Sequence, residues 1–106
     1  MIVVLHADGR ITLEQPHDFT RFHCEIDGAH ATVEAANAAF SGFAEVESRE
    51  TAWVDMPALL ALGQATASDA TERWTASAER MVEGAAKYGW VRERAPSIKS
   101  HIVWRD

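Results

Sequence analysis

Between residues 69 and 90 the apolar positions Trp74, Ala78, Met81, Val82, Ala85 and Tyr88 recur three and four apart, which places them on one stripe of an α-helix. The stripe is expected to face a core. Glu72, Thr75, Glu79, Glu83 and Lys87 fall on the opposite, solvated side, with Glu83 and Lys87 four apart in the order that favours an ion pair. Asp69 is placed to cap the first turn, with Glu72 three residues later as in a capping box, and Gly89 offers a left-handed residue to end the helix. This is the most strongly patterned stretch of the chain, and the other elements are read as packing around it.

Elsewhere the period falls to two. Residues 2–6 and 10–14 are β-rich runs around Ala7-Asp8-Gly9, and the Asp-Gly pair predicts a two-residue hairpin turn. On that turn His6 pairs with Ile11 and Val4 with Leu13, so Ile2, Val4, His6, Ile11 and Leu13 form the core side. Val3, Leu5, Arg10, Thr12 and Glu14 then face away, an apolar mixture that asks for cover by another element or subunit. Residues 21–26 alternate strictly, with Phe22, Cys24 and Ile26 on the buried side and Arg21, His23 and Glu25 on the other.

Helical spacing returns at Val33, Ala36, Phe40 and Phe43, with a stop near Ser41-Gly42. Residues 44–47 and 51–54 read as a second hairpin around Ser48-Arg49-Glu50, with Glu45 and Trp53 sharing one face. Asp55 stands where an N-cap belongs, Pro57 sits inside the first turn, and Leu59, Leu60 and Leu62 carry a two-turn helix to Gly63. Residues 91–97, with Pro96, read as an irregular crossing. The last strand covers residues 98–104, with Ile98, Ser100, Ile102 and Trp104 on one face. The order β-β-β-α-β-β-α-α-β predicts an α+β fold: a mostly antiparallel sheet with two or three helices packed on one face.

At 106 residues the chain suits a single hydrophobic core, so residues 1–106 are expected to form a single domain, and the chain reads as a complete small bacterial-type protein rather than a fragment. A net charge of -6 repels phosphate backbones and anionic lipid heads, so neither nucleic-acid nor membrane-surface binding is expected. The acidity is uneven: residues 1–53 hold three Arg/Lys against nine Asp/Glu, and residues 54–106 hold seven against seven. The mild basic cluster of Arg92, Arg94, Lys99 and Arg105 is therefore available to pair with the acidic half. One cysteine, Cys24, has no internal disulfide partner, and the first residues form no signal peptide, which points to the cytoplasm. The longest apolar run, residues 56–62, falls far short of the ~20 residues that span a bilayer.

The sequence names no chemistry. It has no phosphate-binding glycine loop, CxxC, HExxH, GxSxG or calcium loop. Five histidines, His6, His17, His23, His30 and His101, are scattered without the spacing that puts two ligands on one element, so no metal or other cofactor is expected. His6 is the residue of most interest, because a strand end on the core face is where burial tunes an imidazole toward a general base. The plainer reading is a half-buried histidine bonded to the backbone. His23 and His101 matter only if their faces line a cleft, and Cys24 alternates with Phe22 and Ile26 as a small core residue. Asp55 is a strand-end carboxylate whose capping role already accounts for it.

The expectation is a non-catalytic accessory module that self-associates, as a homodimer, or binds another protein through a sheet face, with Trp53 or Trp104 as an anchor. The alternative is a small cofactor-free isomerase, hydratase or lyase using His6 and Asp55 as an acid and base pair. A third reading, a small-ligand carrier, requires a pocket without that pair.

Overall fold

In the computed structural model, which describes residues 1–67, 71–92 and 96–105, the chain opens on an antiparallel pair, β1 (Ile2–Leu5) and β2 (Ile11–Glu14). The hairpin forms as expected, but its register differs by one residue. Leu5 pairs with Ile11 and Val3 with Leu13, and the loop holds three residues rather than two. Gly9 donates to the carbonyl of His6 at 2.9 Å, and His6 donates to that of Arg10 at 2.8 Å. Gly9 takes φ +88, the left-handed residue that closes a three-residue hairpin. A slip of one residue exchanges the two faces of a strand. The core side is therefore Val3, Leu5, Ile11 and Leu13, while His6 joins Val4 and Thr12 on the far side.

The next strand, β3 (His23–Ile26), runs parallel to β1 and buries Cys24 and Ile26, as its alternation requires. A 3-10 turn at Gly28–His30, capped by Asp27, leads to α1 (Val33–Ala39), where Thr32 accepts from the Ala35 amide. The second hairpin follows as β4 (Ala44–Val46) and β5 (Thr51–Asp55), with Glu45 opposite Trp53. Asp55 then caps α2 (Met56–Thr66), its Oδ2 accepting from Ala58 at 3.0 Å.

Gly63 does not end that helix. It lies within α2 under the six-membered ring of Trp74, and a Cβ at this position would overlap the ring. Trp74 belongs to α3 (Thr71–Ala86), whose stripe divides into a fully buried pair, Trp74 and Ala78, and a half-buried set, Met81, Val82 and Ala85. Its indole N–H donates to the carbonyl of Pro16 at 2.7 Å. Glu72, Glu79, Glu83 and Lys87 are exposed, as the phase of the stripe demands. The expected cap at Asp69 lies outside the described residues. Tyr88, read as the last member of the stripe, falls beyond the helix and is 71% exposed.

Residues expected to cross irregularly include a two-residue strand, β6 (Val91–Arg92), paired with β7 (Ser97–Trp104). The sheet order is β2-β1-β3-β7-β5-β4, so the last strand lies between β3 and β5. Two pairings are parallel and four antiparallel. Val3, Leu5, Cys24, Ile26, Ile102, Ile98, Ala52 and Val54 share one face and form one core with Ala36 and Phe40, Leu59, and Trp74 and Ala78 from the helical layer. No described helix is long and apolar enough to cross a membrane.

Candidate functional site

His6 and Asp55 do not meet. Asp55 stands opposite Ser97 at the start of β7, whereas β1 reaches His6 beyond the level of Trp104 at its end. The two residues are separated by the whole length of β7, roughly 23 Å, and by three strand spacings, about 14 Å. Each has a structural partner of its own. The His6 Nε2 lies 2.7 Å from the Thr12 hydroxyl, and the His6 carbonyl lies 2.9 Å from His30 Nε2, so both rings tie down the hairpin. Asp55 spends its carboxylate on the α2 cap. An acid and base pair acting on one substrate needs both groups within hydrogen-bond reach of it, and this sheet keeps them at opposite ends.

The other singled-out residues also take structural places. Cys24 is fully buried, accepts from the Ser100 hydroxyl at 3.3 Å, and has its thiol pushed up to about 12 by burial, so it is not a thiolate nucleophile at neutral pH. His23 and Glu25 form a pair at 2.9 Å on the face opposite the core, with Arg105 bonded to the other carboxylate oxygen at 2.6 Å. The hydrogen bond from His23, followed by that from Arg105, holds the Glu25 carboxyl below its ordinary range despite partial burial. His101 stands beside His23 in register, yet no three His, Cys, Asp or Glu groups gather to hold a metal ion among the described residues.

The concave site lies elsewhere, at a gap in the sheet. On one edge β7 pairs with β6 at Ser97 and Ile98, and with β3 only from His101 onward. At Lys99 and Ser100, between them, neither strand covers that edge, and the Lys99 amide reaches instead to the carbonyl of Trp90 at 2.7 Å. The opening is a groove of about 580 Å³. Phe19, Thr20, Arg21 and Phe22, leading into β3, form one wall; Tyr88 and Trp90 form the other; Met81, Gly84 and Ala85 of α3 line it with Ile98, and Glu50, Thr51, Lys99 and His101 complete the lining. This size and this mixture of aromatic surface with a few polar groups match small-molecule sites.

Local sequence explains the far wall. The α3 helix ends where Gly89 adopts φ +74, and the amides of Tyr88 and Trp90 both fold back onto the Ala85 carbonyl at 3.1 Å. The reversal brings the two rings together, stacked with centroids 4.8 Å apart, and leaves Tyr88 71% and Trp90 46% exposed. Gly84 contributes empty space: a Cβ there would meet nothing within 4 Å. His101, weighed from sequence as a residue that matters if its face lines a cleft, does line this groove, whereas His23 is not part of the lining and Tyr88, Trp90 and Gly84 were not singled out as a candidate site. The available signal was a glycine inside a helix that needs no bend, followed closely by two aromatic residues around a stop.

Comparisons with protein-family models, with curated proteins and with solved structures return no match to this chain.

Proposed function

We propose that this protein is a non-catalytic binding module that holds a small molecule in the groove between β3, β6 and the end of α3. One observation carries the reading: a preformed aromatic-lined cavity of about 580 Å³ opens at a break in the sheet, while His6 and Asp55 lie at opposite ends of that sheet. A pocket that holds neither member of that pair supports a carrier or sensor. The proposed setting is a reducing cytoplasm, which suits a single thiol with no disulfide partner. The test uses Gly84→Leu, whose side chain would enter the open space without meeting protein atoms at its Cβ. A small-molecule fragment set should shift the amide resonances of Lys99, Ser100 and His101 in the native protein and leave them unshifted in the variant. Fragments that shift resonances only elsewhere, or equally in both proteins, refute the reading.

Self-association is a second reading, carried by Val103, which is 42% exposed on the sheet face opposite the core. Val3 and Leu5 are buried within the chain. Trp53 lies beneath the Arg92 guanidinium, 4.1 Å from the ring centroid, and Arg92 is paired to Glu45 and Glu47. Trp104 is likewise engaged, donating to the Arg49 carbonyl at 2.7 Å. Sedimentation equilibrium of the native protein and Val103→Glu decides it: a dimer that the substitution dissociates supports this face, and a monomeric native protein at micromolar concentration removes it.

A further inference from the structure

We infer that the ligand of this groove is a small anionic amphiphile, an aromatic or acyl body carrying a carboxylate, sulfonate or phosphate group. The inference rests on the binding-module reading and deepens it. Two observations set the class. Among the exposed large apolar side chains of the described residues are Tyr88, Trp90 and Val103, and the first two are stacked together at this groove. An apolar body stacking on them would remove that surface from water.

The polar lining supplies the second half. In a chain of net charge -6, the groove gathers Arg21, Lys99 and His101 against one acid, Glu50. Arg10, Arg92 and Arg105 are engaged with carboxylates, whereas Arg21 and Lys99 have no ion-pair partner among the described residues. These two cations, of which Arg21 feels the Asp18 carboxylate without pairing to it, stand beside an aromatic wall and offer an acid group charge-assisted hydrogen bonds, with the guanidinium able to take it through two parallel N–H groups. A cationic ligand would meet repulsion at the same place, and a neutral one would gain only from the wall.

Two fluorescent probes of one ring body separate the contributions: anilinonaphthalene sulfonate, which is anionic, and the uncharged phenylnaphthylamine. Each is titrated into the native protein, Gly84→Leu and the double variant Arg21→Gln with Lys99→Gln. The expected result is saturable sulfonate binding that falls roughly tenfold in the double variant, weakens as ionic strength rises, and is lost in Gly84→Leu. The neutral probe should bind more weakly than the sulfonate, be indifferent to the double variant and be lost in Gly84→Leu. If both probes bind equally and the charge variants change nothing, the anionic class is wrong while the groove still binds. If neither probe binds, or Gly84→Leu changes neither, the binding reading itself fails.

Discussion

The six-membered ring of Trp74 occupies the space where a side chain of Gly63 would begin, so that the two long helices approach through a residue with no side chain. The glycine is there for the ring rather than for the helix end. Gly63→Ala should therefore destabilise the protein by about 1–3 kcal/mol through overpacking, and Trp74→Ala by about 3–5 kcal/mol through the cavity it leaves. In the Trp74→Ala background the sign of Gly63→Ala should reverse, because the clash is gone and alanine is the better helix former by up to about 1 kcal/mol. Urea unfolding of the four proteins measures this coupling. Additive losses would mean that the two residues do not touch.

Gly84 makes the opposite prediction within the same fold. Its Cβ would point into open space in α3, so Gly84→Ala should stabilise by about 0.5–1 kcal/mol. Thermal unfolding reads the sign directly. A loss of stability would show that the groove is filled in solution.

His6→Ala and Asp55→Ala should act independently. Removing the α2 cap should cost about 1 kcal/mol, and the double variant should equal the sum of the singles to within about 0.5 kcal/mol. A coupling energy above that range would place the two side chains in one network.

The Cys24 thiol should not react with a maleimide at neutral pH while the protein is folded, since it is buried and its ionisation is pushed up to about 12. Labelling should follow global unfolding and accelerate with denaturant. Rapid labelling in native buffer would contradict the burial of β3.

Glu25 links stability to pH. Its folded carboxyl is held below its ordinary range by His23 and then Arg105, so the stability it contributes is present above its unfolded value of about 4.3 and is lost as pH falls through the lower folded value. Glu25→Gln should flatten that part of the acid profile. An unchanged profile would mean that the His23 and Arg105 bonds are not kept in solution.

Local stereochemistry is written in the sequence residue by residue, and the elements it governs were legible there. A period near 3.6 marked α3, alternation marked β3 and β7, and Asp55 with Pro57 marked the start of α2, because side-chain direction and capping depend on neighbours a few positions away. The faces of the β4 and β5 hairpin were legible for the same reason. Tyr88 was misplaced because periodicity carries on past the residue at which Gly89 turns the chain.

The first hairpin marks the limit. A two-residue and a three-residue loop both use Asp8 and Gly9 well, and locally either serves. The three-residue loop puts Val3 and Leu5 on the face where Cys24 and Ile26 of β3 are buried, and burial of that set selects the register. That choice moved His6 away from the core. The groove is more remote still, since residues 19–22 and 88–90 become neighbours only when β7 enters the middle of the sheet and leaves a break at Ser100 between β3 and the chain running into β6. The sequence by itself therefore determined the elements, their caps and most buried faces, which short-range sterics and periodic hydrophobicity dictate. Only the tertiary structure decided hairpin register, strand order and the site, because these depend on which distant surfaces exclude water together.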